Sequence, residues 1–297
     1  MQIQLDGKSA LVCGSSQGIG LASAIELSEL GSKITLCARN EADLNKALQQ
    51  LSGDGHSTLV ANFDDPDDLV LKVQSHIDSN GAFNILINNS GGPPGGPLFK
   101  ADTEEFFVSM RRHLSCNHRL VQTLVPGMIE LDYGRIVNII STSVREPIQG
   151  LGVSNTTRGA VASWAKTLSK ELGPNGITIN SVLPGFTDTS RLSQLMEKKA
   201  SNEGKTPNEV KDTWLGSIPL GRLASASEIG SAVAFLCSPA AACRCVKKAW
   251  ALEGHCRGTH EQERLRVGCT APLGFERAEP RRGGVYIYIY VYIYIYI

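Results

Sequence analysis

Cys13-Gly-Ser-Ser-Gln-Gly-Ile-Gly20 stands between an apolar run at 10–13 and a segment of helical spacing that opens at Gly18. A continuous apolar run ended by glycine reads as a buried strand. Beyond it Ile19, Ala22, Ile25 and Leu27 return every three or four residues, and Gly31 supplies a stop. Glycines at 14, 18 and 20 let the chain bend sharply and let a pyrophosphate approach bare backbone, facing the unpaired amides of a helix's first turn. Strand, glycine turn and helix in this order outline a nucleotide site. A glycine triplet alone is shared with many tight turns, so the rest of the chain has to decide.

Outward from that turn, strand and helix signals alternate. Apolar runs at 33–38, 57–63, 83–88, 135–140 and 177–182 predict five further strands. Between them Asn40 can cap a helix to about 51, and Asp64-Asp-Pro66 suits the first turn of another. A long helix is expected over 103–128, turning Phe106, Met110, Leu114, Val121 and Leu124 inward, and one more over 155–172. This alternation implies a doubly wound parallel α/β sheet of the Rossmann type, covered on both faces. Ligands of such sheets sit at the strands' carboxyl ends, where the glycine turn also lies.

The 297 residues allow one large α/β domain or two small ones, and a formal net charge of zero points to no basic nucleic-acid surface. Met1 leads almost directly into the first strand, so no leader is expected, and no apolar run is long enough to span a bilayer. The eight cysteines are scattered, and Cys13 and Cys37 lie in strand-like runs, which favours reduced thiols and a cytoplasmic location.

Four motifs at this order and spacing, Cys13-Gly-x-x-x-Gly18-x-Gly20, Asn88-Asn-Ser-Gly91, Ile136-Val-Asn-Ile-Ile-Ser141 and Pro184-Gly-Phe-Thr-Asp-Thr189, resemble the short-chain dehydrogenase/reductase family, in particular its 3-oxoacyl-(acyl-carrier-protein) reductases. The resemblance covers about residues 5–239 and sets off 240–297 as a tail. Cys13 stands where the family usually has threonine and Ser90 where it has alanine. The resemblance implies a nicotinamide dinucleotide held by Gly14, Ser15, Ser16, Gly18, Ile19 and Gly20, with Asn62 and Phe63 near adenine. Asn89, Gly91, Pro184, Gly185, Thr187 and Thr189 would lie near the pyrophosphate and nicotinamide, although both threonines also suit helix capping. Arg39 and Asn40 end the second strand with a cation and no acid, which favours NADP(H) over NAD(H), unless Arg39 simply faces solvent.

In the family a tyrosine supplies a proton to the carbonyl, a serine holds its oxygen, a lysine lowers the tyrosine pKa and an asparagine supports a water. Here the serine position is Ser141, the tyrosine position Ser154, the lysine position Arg158 and the asparagine position His113, with Asn117 one turn further along. A serine hydroxyl is a far poorer acid than a phenol, and a guanidinium does not ease that. Of seven tyrosines, six lie within 286–297, and Tyr133 precedes the fifth strand at the end away from the cofactor. His113 is therefore the expected proton donor, directly or through water or Ser154, against the plainer role of a hydrogen-bonded interior histidine. Arg158 would still bond the nicotinamide ribose.

The polar stretch 190–220 matches the family's substrate lid, facing the wall formed by 91–97; Lys198 and Lys199 there suit an acidic carrier or a solvated helix face. After a capping box at Ser225 and Glu228 the family pattern stops near Pro239. The sheet should then lack the family's last strand, leaving a bare edge and weakening a family-like homodimer or tetramer. The alternating Tyr-Ile end reads as a translated TA repeat, and 240–297 is expected to be disordered or artefactual, although its β-prone end can also pair as a strand. Cys243, Cys245, His255, Cys256 and His260 match no zinc spacing, so no metal is expected. The function expected is NADP(H)-dependent reduction of a small carbonyl compound or acyl thioester, with no nucleic-acid or membrane partner. The alternatives are a catalytically impaired nucleotide-binding module and a non-functional truncated product.

Overall fold

The computed structural model describes residues 1–242 and the backbone of Tyr292–Ile295. Its strands are β1 (Ser9–Cys13), β2 (Lys33–Ala38), β3 (Ser57–Val60), β4 (Ile85–Asn88), β5 (Gly134–Ile139), β6 (Ile177–Pro184) and β7 (Tyr292–Ile295). All pair in parallel in the order β3-β2-β1-β4-β5-β6-β7. The order reverses between β1 and β4, which opens a crevice at their carboxyl ends.

Helices cover both faces, as parallel strands require. On one side lie α1 (Gly18–Glu29), α2 (Glu41–Leu48) and α9 (Ala226–Cys237); on the other α3 (Pro66–Asn80), α5 (Cys116–Glu130) and α6 (Gly152–Leu172). The period of two along a strand sorts the core: in β1, Ala10 and Val12 pack with Leu27, Leu44 and Val233, while Leu11 and Cys13 pack with Leu69, Leu120 and Leu124. α4 (Thr103–Met110), α7 (Ser190–Glu203) and α8 (Pro207–Ser217) complete the helices that surround the crevice.

Local chemistry sets the boundaries. The Asn40 carboxamide accepts from Asp43 N at 3.1 Å and starts α2, and Asp65 with Pro66 starts α3. Ser225 and Glu228 form the expected capping box at α9. The one long helix expected over 103–128 is interrupted: Arg111–Ser115 forms a π-helical turn between α4 and α5. Such a turn inserts a residue into the helical ladder and re-aims the side chains around it.

The bare edge expected beside β6 carries β7, paired from Ser181 opposite Tyr292 to Pro184 opposite Ile295. Alternating β-branched and aromatic residues suit a ladder, which is why the tail's end can fill that position. The zinc question over Cys243, Cys245, His255, Cys256 and His260, and most of the 240–297 segment, fall outside the described residues. Cys13, Cys37, Cys116 and Cys237 are free, buried thiols, in line with a reduced state.

Candidate active site

The glycine turn lies where β1 meets the crevice. Gly14 has φ +58°, and a Cβ there would sit 2.7 Å from Asn89 O; a Cβ on Gly20 would sit 2.2 Å from Gly14 O. Both glycines are therefore required by close packing of strand, turn and helix as much as by a ligand. Asn89 reinforces the closure, its Nδ2 donating to Cys13 O at 3.3 Å and Gly14 O at 3.2 Å. At α1 no side chain caps the amino terminus and no acid occupies the first turn, so its amides stay open to an anion. Half-buried Ser16 and Ile19 flank that opening.

Ser15 departs from its expected role. Fully buried, its hydroxyl donates to Val12 O at 2.7 Å and accepts from Cys37 N at 3.0 Å, tying β1 to β2 beneath the turn. The nearby Phe63 is also buried, at 8% exposure. Asn62 turns its carbonyl oxygen to Asp64 N at 3.1 Å. Arg39 is exposed just past β2 and takes part in no ion pair among the described residues. Gly18 faces Thr189 across the crevice, where a methyl added to the glycine would lie 3.5 Å from Thr189 Cγ2. Thr189 caps α7 by accepting from Leu192 N, and Thr187, buried, donates to Gly185 O, so both have structural duties beside any ligand contact.

The expected catalytic positions gather at the carboxyl ends of β4 and β5. Ser141 follows β5, accepts from Ser143 N at 3.1 Å and keeps its proton for another acceptor. Arg158, on α6, donates from Nη1 to Ile139 O at 2.8 Å; burial, with Arg191 beside it, lowers its pKa to about 10. Half-buried Ser154 lies one turn earlier on α6. Tyr133 is turned away, its hydroxyl donating to Cys237 O at 2.7 Å.

His113 sits within the π-helical turn and is 2% exposed. Its Nδ1 lies 2.6 Å from Ser90 Oγ, and its Nε2 is buried with no partner. Burial first, then the charges of Arg158, Arg112 and Arg191, push its pKa well below 6.5, although the Gly91 backbone acts in the other direction. The ring is consequently neutral at pH 7. Arg112 anchors the turn through a two-pronged ion pair with Asp64, whose carboxyl the guanidinium holds below its ordinary value. Asn117, one turn further on, is buried in α5.

Two residues escaped the sequence. Ser90 was visible as a departure from alanine, and its meaning lies in its pairing with His113, 23 positions away. Arg191, in the first turn of α7, gave no signal; it reaches across to Pro93 O at 2.5 Å. Lys198 reaches Gly95 O at 2.6 Å, so α7 is latched onto the 91–97 wall by Arg191 and Lys198, while Lys199 pairs with Glu203 at 2.9 Å within the helix. Beneath lies a cleft of about 590 Å³ lined by Ser141, Leu151, Phe186, Leu195, Trp214 and Ile218 among others, mostly apolar. A smaller cavity of about 230 Å³ opens beside His113 and Arg112.

The short chain dehydrogenase family model matches residues 8–200. The 3-oxoacyl-(acyl-carrier-protein) reductase FabG of Vibrio cholerae is 33% identical over 242 residues, covering 81% of this chain and 93% of that protein. Among solved structures, L-sorbose reductase of Gluconobacter frateurii complexed with NADPH and L-sorbose is 28% identical with TM-score 0.76, covering 82% of this chain and 94% of that one. NAD+-bound xylitol dehydrogenase is 25% identical with TM-score 0.74, covering 80% and 94%. Glycine turn, crevice and parallel sheet agree with these matches: the chain belongs to the short-chain dehydrogenase family of NAD(P)-dependent oxidoreductases.

Proposed function

We propose that the protein is an NADPH-dependent carbonyl reductase in which His113, relayed by Ser90, replaces the family's tyrosine. The observation that carries this is the buried, unpartnered Nε2 of His113 beside Arg158. The open amides of α1, Ser16 and Ile19 suit the pyrophosphate, and Arg39 with Asn40 suits a 2′-phosphate. Asn62, Phe63, Asn89, Gly91, Pro184, Gly185, Thr187 and Thr189 border the same crevice. NADPH, when bound, supplies the hydride, two electrons and one proton, to the carbonyl carbon.

The protein's own groups handle the oxygen. Ser141 donates its hydroxyl hydrogen to it, and Arg158 stabilises the negative charge that develops. His113 gives its Nε2 proton as Nδ1 takes the Ser90 hydroxyl proton, which water replaces. This tautomer shift never requires a charged ring, in keeping with the guanidiniums around it. Ser154 holds a water on the same path. The substrate is a small carbonyl compound, with 3-oxoacyl thioesters the class named among relatives. A reducing cytoplasm suits the four free thiols, and a homodimer or tetramer, weakened at the β6 edge, suits the family.

A catalytically silent nucleotide-binding module is the second reading, favoured by the engagement of Tyr133, the one tyrosine outside 286–297, at the far end of the sheet. Turnover separates them. NADPH oxidation driven by a panel of ketones, 2-oxo acids and 3-oxoacyl thioesters is expected with at least one class; NADPH binding without any turnover would leave only the module.

A further inference from the structure

Arg158 and Arg191 converge from different helices. The position a methyl on Gly92 would occupy lies 3.5 Å from Arg191 Nη2 and 3.9 Å from Arg158 Nη2. Each guanidinium has one backbone carbonyl, Ile139 O for Arg158 and Pro93 O for Arg191, and neither forms an ion pair among the described residues. Nearby, Arg112 is matched by Asp64 and Lys199 by Glu203, while Lys198 has only Gly95 O among the described residues. Two partly enclosed like charges without a counterion are costly, and a planar carboxylate is the partner that a guanidinium fork fits. Beside them His113 Nε2 is buried and unpartnered. The apolar cleft that begins at Ser141 gives room for the remainder of a ligand.

We propose that Arg158 and Arg191 form a carboxylate clamp, so that the substrate class of this site is a 2-oxo acid with an apolar side chain. This rests on the reading of the site as a carbonyl reductase. Arg158 bonds Ile139 O, two residues before Ser141 at the carboxyl end of β5, so a carboxylate held between the two guanidiniums beside Gly92 lies next to a carbonyl that Ser141 addresses. A thioester, lacking that charge, leaves the pair unmatched.

The test uses 4-phenyl-2-oxobutanoate and its ethyl ester, titrated by calorimetry into the full chain saturated with NADP+, a complex with no hydride to give. The acid is expected to bind on the order of 30-fold tighter than the ester. Arg191→Met should bring the two within about threefold, and Arg191→Lys should fall between, because an ammonium retains charge without the fork. Equal binding of acid and ester by the wild-type protein, or binding of neither, overturns the proposal whatever the variants do. An Arg191→Met protein that loses NADP+ affinity also overturns it, by assigning the cation to a cofactor phosphate. Tight acid binding with no NADPH-dependent reduction of the acid upholds the clamp and removes the reductase reading.

Discussion

At the scale of single residues, the proposed mechanism moves the chemistry that the family assigns to a phenol onto Ser90, His113 and Arg158. His113 is a buried base whose pKa is pushed well below 6.5 by burial and then by Arg158 and Arg112. Below pH 6.5 the unfolded chain takes up a proton that the folded chain refuses, so this histidine costs no stability above pH 6.5 and an increasing amount as pH falls beneath it. Urea unfolding at pH 7.5 and 5.5 should therefore show a smaller acid-side loss for His113→Asn than for the wild-type protein; equal losses would mean that the ring is not held neutral. Arg39 supplies the second prediction. Arg39→Glu should raise the KM for NADPH by about tenfold or more while leaving that for NADH within about twofold, because a carboxylate repels a 2′-phosphate and accepts from a 2′-hydroxyl. Unchanged KM values for NADPH would leave Arg39 as a solvent-facing cation.

At the scale of elements, the alternation of apolar runs made six strands legible, and caps such as Asn40 and Ser225 were readable because their side chains bond within three residues. The π-helical turn at Arg111–Ser115 was not, because the Asp64–Arg112 pair that anchors it joins residues far apart in sequence. Ser15 misled for the same reason: its motif position suggests a ligand contact, while its hydroxyl bonds to β2. Arg191 lacked any local pattern at all. Asp64→Ala should cost only about 1 kcal/mol of stability, since the pair is one-third exposed, yet should slow turnover by releasing the turn that aims His113. Loss of stability without loss of turnover would make the pair purely structural. Gly20→Ala places a methyl 2.2 Å from Gly14 O and should cost about 1–3 kcal/mol together with nucleotide affinity. Full retention of both in thermal melts and NADPH titration would contradict the close packing of turn against helix.

At the scale of the whole molecule, the crevice and the cleft are built from residues within 1–242, and among the described residues the alternating end appears as β7 beside β6. A chain ending after Ala242 should accordingly bind NADPH within about twofold of the full chain, with lower solubility from the uncovered β6 edge; a large loss of affinity would tie the tail to the site. The proposed mechanism requires hydride transfer without a phenol, and the most direct measurement is single-turnover NADPH oxidation by wild-type and His113→Ala proteins, each saturated with NADPH and mixed with the carbonyl compound best turned over. Transfer is expected in the wild-type protein, with a rate lower by about 100-fold or more in the variant. Undiminished oxidation in His113→Ala would contradict a histidine in the place of the phenol.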